Sequence, residues 1–440
     1  MRILLVIMQQ TAMGSYHLPL GVGYVSASLK RAGHEVNVLN PNHSTESLKA
    51  QLIQAINEFD PQVLSVGGMS FHMTQIRDVV VTARPLLPHS FIVMGGVAVS
   101  NHPEVTMNAI PEADIGVVGE AEYSIIELIT ALEDGKNLND VNGLIFWDGE
   151  RKLVQTFPRP FEKDLDALPW VDWEGIGLDI YAGLHKTGKM APGLIVDSGA
   201  RVMPFLTSRG CPFSCTFCCH ELLGRKYRTR SLDDVFAELE FAVDRFNINT
   251  LVIFDDIFSL KRKRLHEFCE RVAPLNLRWE CSLRVEQVTT DNLKAMHDSG
   301  CVTVGLGVES MSPTVLENMK KSTTKEALDK ALGLIYDSKI TIWGNLIYGD
   351  PVETVETATE SLEWWAENNR YDLRTAFIGY HPGSVIYEEA LQKGLIEDPI
   401  AFLLSNKSEL NGTAMSDQEY DYLKDTLVPQ YIMSFGLPGR

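Results

Sequence analysis

Apolar positions follow two rhythms along this chain. Over roughly the first 135 residues, short apolar runs (Arg2–Met8, Glu35–Leu39, Val63–Gly67, Phe91–Gly95 and Ile115–Gly119) alternate with segments whose apolar residues return every three to four positions (Gly21–Ala32, Ser47–Phe59, Thr74–Leu86 and Tyr123–Glu133). A short unbroken apolar run reads as a strand buried on both faces, and the 3.6-residue rhythm reads as an amphipathic helix. Their alternation predicts an α/β, doubly wound, Rossmann-like parallel sheet, in which ligands bind beyond the carboxyl ends of the strands. The rhythm breaks over residues 140–200, which hold Pro158, Pro160, Pro169 and Pro192. They read as a linker with a hairpin, Gly143–Thr156, turning at Asp148-Gly149. From residue 201 the alternation resumes, with strands at Val202–Thr207, Leu251–Phe254, Arg278–Ser282, Val302–Gly307, Thr341–Ile347 and Arg374–Gly379. Six βα units predict a partial (βα)6 barrel with its active residues at the carboxyl ends of the strands. Two helix starts carry end chemistry: Thr323-Thr324-Lys325-Glu326 as a capping box, and Asp350-Pro351-Val352-Glu353 as an N-cap followed by proline. The expected organisation is 1–138 as an α/β domain, 139–200 as linker, 201–393 as barrel and 394–440 as a helical tail.

Composition sharpens this picture. The chain is 45% hydrophobic and 22% charged, enough to fill large cores. Its net charge of −19 repels phosphate backbones and argues against nucleic acid as a partner. No apolar run approaches the ~18 residues of a membrane span, and the first run is too short for a signal segment, so a cytoplasmic protein is expected. All seven cysteines lie after residue 210, and Cys211, Cys215, Cys218 and Cys219 crowd together. A disulfide framework would spread them, so a local metal site is expected instead.

The strongest signal is Cys211-Pro212-Phe213-Ser214-Cys215-Thr216-Phe217-Cys218, a C-x3-C-x2-C loop directly after the first barrel strand. Three thiolates on one loop suit an iron–sulfur cluster with one iron left open. Zinc is the alternative, and needs Cys219 or His220 as a fourth ligand. The motif at this place resembles the radical S-adenosylmethionine (SAM) superfamily. The resemblance implies that Cys211, Cys215 and Cys218 hold a [4Fe–4S] cluster whose fourth iron binds SAM, and that reduction generates a 5′-deoxyadenosyl radical. It implies SAM contacts from Phe217, Asp255, Asp256, Ser282, Arg284, Glu309, Gly344 and Tyr348, all on the loop or at later strand ends. It also implies an electron donor such as flavodoxin or ferredoxin. Trp343, Tyr380, His381 and Tyr387 are candidates for the substrate pocket or for packing alone.

An α/β domain ahead of such a barrel, with Pro19-Leu20-Gly21-Val22-Gly23-Tyr24 opening its first helix, resembles the cobalamin-binding branch of that superfamily. The resemblance implies that cobalamin lies over Gly21, Gly67, Gly68, Ser70, Gly95, Gly96, Gly119 and Glu120. The cobalt-ligating D-x-H-x-x-G motif of cobalamin mutases is absent, so no histidine ligand to cobalt is expected. The related tRNA methylthiotransferases carry N-terminal cluster cysteines, which this chain lacks. The expected function is cobalamin-dependent radical chemistry on an unactivated carbon of a small biosynthetic intermediate, with C-methylation first. A radical cyclisation, oxidation or carbon–carbon coupling on the same scaffold is the alternative. A non-catalytic cobalamin- or cluster-binding protein is the alternative of another class.

Overall fold

The computed structural model describes residues 1–10, 16–184, 188–189, 195–196, 199–219, 224–258, 260–368, 370–405 and 408–434. The chain forms two compact units. The first comprises Met1–Leu184, Cys219–Asp234 and Ile396–Lys407; the second takes the segment ending at Cys218, Val235–Leu395 and the chain from Ser408.

The first unit is built on seven strands: β1 (Arg2–Val6), β2 (Glu35–Leu39), β3 (Val63–Gly67), β4 (Phe91–Gly95), β5 (Ile115–Val117), β6 (Leu144–Trp147) and β7 (Leu153–Gln155). Their order in the sheet is β2-β1-β3-β4-β5-β6-β7. The first five pair in parallel, as the alternation of strand and helix predicts. Successive side chains of a strand point to opposite faces. Leu4, Val6, Leu64, Val66, Ile92 and Met94 enter one core, while Ile3, Leu5, Val63 and Val93 enter the other. Both faces are thus buried, which is why the strands read as unbroken apolar runs.

Two segments differ from expectation. The hairpin of β6 and β7 does not stand in a free linker; β6 joins β5 antiparallel and extends the sheet. The chain beyond it, to Leu184, also packs within this unit. Leu165, Leu168, Val171, Trp173, Ile176 and Tyr181 are buried there, and Asp172 accepts from Ser26 Oγ at 2.5 Å and pairs with Lys30 at 2.7 Å. Prolines broke the periodicity without preventing burial. In the tail, the helix Pro399–Leu404 sends Leu403 into the same unit's core.

The second unit is a six-stranded parallel sheet in chain order: β8 (Val202–Phe205), β9 (Thr250–Ile253), β10 (Arg278–Leu283), β11 (Cys301–Leu306), β12 (Thr341–Tyr348) and β13 (Asp372–Phe377). With its intervening helices it is the expected partial barrel. Trp279 of β10 packs against Phe258 and Phe268 on the helix side. Register then fixes every other residue. Cys281, Val304 and Ile342 face the helices with it, while Ser282, Gly305 and Trp343 share the inner face. Thr324 caps its helix as predicted. The helix expected at Pro351 instead starts at Val355 under a Thr354 cap, because Glu353 turns back to accept from the Gly349 N–H.

Candidate functional site

The cysteine loop leaves the inner edge of the barrel after β8 and is tied down by backbone. Thr216 N–H donates to the Met319 carbonyl at 3.1 Å, Ile386 N–H donates to the Thr216 carbonyl at 3.2 Å, and Gly210 N–H donates to Asp256 at 3.1 Å. Cys215 and Cys218 are in side-chain contact, and Cys211 lies within electrostatic reach of Cys215. The Cys218 thiol is pushed up, by its contact with Cys215 and by burial; the Cys211 thiol is pushed up chiefly by burial. Closely set, desolvated thiols are held neutral without a metal, and bound iron reverses that by stabilising their thiolates. The donor set therefore fits a soft-metal cluster. Cys219 falls in the other unit of the chain. His220 lies outside the described residues.

Glu309 ends the strand region of β11 in a left-handed conformation, φ 64°. Two backbone hydrogen bonds to β12 enforce it: Glu309 N–H to the Asn345 carbonyl at 2.9 Å and Ile347 N–H to the Glu309 carbonyl at 2.7 Å. Its carboxylate pairs with Lys321 at 2.6 Å, both side chains being nearly buried. Burial works against the charge of Lys321, but the charge and hydrogen bond of Glu309 outweigh it and hold the ammonium above its ordinary range. Lys320 and Ser322, with φ of 52° and 55°, flank Lys321 in a tight turn. That turn also aims the Lys321 carbonyl at Arg284, which donates to it at 2.9 Å. The Arg284 guanidinium lies 3.5 Å over the Phe213 ring and pairs with the exposed Glu286 at 3.2 Å. Glu309 and Lys321 influence Cys218, and Arg284 influences Cys211. Arg284, Glu309, Cys215 and Cys218 are thus brought together with Cys211 in electrostatic reach, although among the described residues no three side chains already converge tightly enough to hold a metal ion. Lys321 and Phe213 complete the group and were not singled out in the sequence. Phe213 lies inside the motif, whereas nothing local marks Lys321.

Other expected SAM contacts are placed differently. Asp255 is buried and accepts from Thr207 N–H at 2.6 Å, Thr207 Oγ1 at 2.5 Å and Ser208 Oγ at 2.7 Å. It clamps β8 to β9 and offers no carboxylate to an ammonium. Burial pushes it up to about 6 even against those hydrogen bonds. Asp256, exposed, instead holds Gly210 beside the first cysteine. Gly344 and Tyr348 fall on the helix side of β12, where every second residue is buried. Tyr348 is 1% exposed and contacts Phe377, so it cannot meet a ligand on the inner face. Ser282 does lie on the inner face, and Phe217 is half-buried on the loop. Tyr380 and Tyr387 are fully enclosed and serve packing.

In the first unit, the carboxyl ends of β3 and β4 nearly touch. A side-chain carbon on Gly67 would lie 2.6 Å from the Gly95 carbonyl oxygen, and one on Gly96 would lie 2.9 Å from the Gly68 nitrogen. Gly95 and Gly119 differ, with nothing within 4 Å of such a carbon. Gly21 is likewise open. Beyond this edge, in and beside the Ser70–His72 turn, Met69 and Phe71 are 43% and 52% exposed. An open, glycine-floored edge with uncovered apolar side chains fits a large flat ligand. Glu120 is turned to a protein partner instead, its two oxygens accepting from Arg228 at 2.7 and 2.9 Å.

Comparison with known proteins agrees with this layout. A model of the B12 binding domain matches residues 11–129, and a model of the Radical SAM superfamily matches residues 205–364. An uncharacterized methyltransferase of Pyrococcus horikoshii is 29% identical over 381 residues, spanning 86% of this chain and 79% of its own length. The anaerobic magnesium-protoporphyrin IX monomethyl ester cyclase of Cereibacter sphaeroides is 27% identical over 356 residues, spanning 78% of this chain and 55% of its own length. The structure of the radical SAM methyltransferase TsrM from Kitasatospora setae, with cobalamin and a [4Fe-4S] cluster bound, shares the fold. Its TM-score is 0.71 at 18% identity, over 90% of this chain and 78% of that one. No helix among the described residues is long and apolar enough to cross a membrane.

Proposed function

The chain belongs to the cobalamin-binding radical SAM enzymes, and on that premise we propose that it methylates an unactivated carbon of a small biosynthetic intermediate. When bound, the cluster with SAM supplies a hydrogen-abstracting radical and cobalamin supplies the methyl group. The observation that carries this reading is the cysteine loop set beside the Arg284–Lys321–Glu309 group at one end of the barrel.

Cys211, Cys215 and Cys218 hold the cluster. Arg284 meets the SAM carboxylate through its planar donor fork, and Phe213 keeps that fork in place by covering one face. Glu309 accepts from the SAM amine or a ribose hydroxyl, and its ion pair with Lys321 holds the carboxylate in place. Phe217 flanks the adenine. Gly67, Gly68, Gly95 and Gly96 floor the cobalamin site, with Ser70, Gly21 and Gly119 at its margins. A low-potential donor such as flavodoxin or ferredoxin supplies the electron.

Anaerobic turnover with SAM bearing a 13C-methyl group, a small-molecule extract as substrate source, and mass spectrometry of the products tests this. Formation of 5′-deoxyadenosine together with a product carrying the labelled methyl is expected. 5′-Deoxyadenosine with an altered but unlabelled product would replace methylation by a cyclisation or oxidation, the reading favoured by the similarity to the cyclase.

A further inference from the structure

The inner wall of the barrel carries a buried carboxyl, one oxygen of which no described residue answers. Because Trp279 and Cys281 face the helices, Arg278, Glu280, Ser282 and Arg284 face inward. Glu280 stands in register with Val252 on β9 and Thr303 on β11. It is 4% exposed, and its Oε2 has no hydrogen-bond partner among the described residues. Burial alone pushes its carboxyl up to about 8, with no neighbouring charge contributing. In a filled barrel such a position is taken by a branched apolar residue. A buried carboxyl left unmatched costs stability that the fold would otherwise keep.

One level nearer the cysteine loop, the inner row is Ser282, Gly305 and Trp343. The Trp343 indole lies across Gly305, where a side-chain carbon would come within 2.5 Å of the ring. The inward residues Thr341, Trp343, Asn345 and Ile347 are each only half-buried, so this wall is open to an occupant. A carboxyl at depth and an indole above it are two features that both favour a cation. Above them stand Arg284 and Glu309 with the cluster loop.

We propose that Glu280 anchors the substrate by receiving a protonated amine, and that the apolar body of the substrate lies along Trp343 toward the cysteine loop. The inference rests on the function proposed above and narrows its substrate class to amine-bearing molecules. Benzylammonium is a suitable probe and benzyl alcohol its uncharged counterpart. Their dissociation constants are read by ligand-observed saturation-transfer NMR on the anaerobically reconstituted protein. Wild type should bind benzylammonium. Glu280→Gln, which keeps the shape and removes the charge, should weaken it about tenfold or more while leaving benzyl alcohol within about twofold. Trp343→Ala should weaken both. Should Glu280→Gln fail to fold, Glu280→Asp, which withdraws the charge by one methylene, should still lose benzylammonium affinity. Equal benzylammonium binding by wild type and either Glu280 variant, or none by wild type, overturns the proposal. Reductive SAM cleavage by the same wild-type preparation is scored separately. Cleavage without amine binding removes only this inference, whereas absent cleavage removes the radical SAM function and leaves the binding result standing.

Discussion

Glu309 combines a strained backbone with a buried partner, which is the pattern of a residue held ready for a ligand. Its ion pair with Lys321 makes a dual outcome expected. Removing one member of a buried pair leaves the other uncompensated and costs about 3–5 kcal/mol. Glu309→Gln and Lys321→Ala should therefore lower the melting midpoint even without SAM. Among the described residues the ion-pair partner of Arg284 is the exposed Glu286, and it also donates to the Lys321 carbonyl and covers Phe213, so Arg284→Ala should lower the SAM-free midpoint less than Glu309→Gln does and abolish most of the rise that SAM produces. Its SAM affinity should fall by roughly 30- to 1000-fold. Thermal melts with and without SAM check this, and an undiminished rise in Arg284→Ala would remove that residue from the SAM site. Glu280 gives a pH effect. Its folded pKa of about 8 lies above its unfolded value, so the folded state binds more protons across that window. The stability that Glu280 contributes should fall as pH rises from about 4.5 to 8 and level off above. Glu353, also pushed up to about 8, adds a parallel slope to wild type and variant alike. The difference between wild type and Glu280→Gln isolates Glu280, and the variant should gain roughly 3–5 kcal/mol across the window. Urea unfolding at several pH values measures it, and a pH-independent difference would show that Glu280 does not titrate as its burial demands.

Elements act here chiefly through their ends. The cluster loop is held at Gly210, Thr216 and Ile386, so losing one thiol should cost metal rather than fold. Alanine at Cys211, Cys215 or Cys218 should lose most iron on anaerobic reconstitution, while Cys219→Ala keeps it; iron and sulfide assays decide. The glycine ends of β3, β4 and β5 are not equivalent. Gly119, at φ 88°, strains any other residue whatever the space around it. Gly95 has open space and an ordinary backbone, so it gives the cleaner test. Gly95→Trp should lower cobalamin affinity at least tenfold and leave cluster assembly intact, since the cysteines belong to the other unit. Spectrophotometric cobalamin titration beside iron analysis separates the two.

At the scale of the whole molecule, the chain crosses between its two units more than once. The late segment Ile396–Lys407 belongs to the first unit, where Leu403 is 4% exposed in the core and Thr74 Oγ1 donates to the Leu404 carbonyl at 3.1 Å. Leu403→Asp puts an unmatched charge in that core and should destabilise the first unit by several kcal/mol, on the order of 2–5. Limited proteolysis should then open the first unit, and cobalamin binding should weaken, before the cysteine loop loses iron. Simultaneous loss of both would mean that the segment stabilises the chain as one cooperative block.

Local order was legible without any structure. Strands β1, β3, β4, β5, β8 and β9 appear as apolar runs because burial on both faces leaves little polar alternation, whereas the edge strand β2 and the barrel strands β10, β12 and β13 were marked by β-type residues between helices. The cluster motif appears because its three thiols sit on one short loop. Partnerships between distant segments were not legible. Asp255 resembled an open carboxylate until the pairing of β8 and β9 enclosed it among Thr207 and Ser208. Glu309 was expected as a SAM contact, and the left-handed turn around Lys321 gave it a cation that no local signal marks. The hairpin of β6 and β7 looked like a linker because two strands carry no label for the edge they join. Which face Glu280, Trp343, Gly344 and Tyr348 occupy depends on strand register, set by side chains packing across the whole sheet. Composition and periodicity determined the elements, their order and the cluster chemistry, because those properties reside in neighbouring residues. The tertiary structure alone decided which charges are paired, which are buried and which face the barrel interior, because those depend on segments that meet only after the chain has folded.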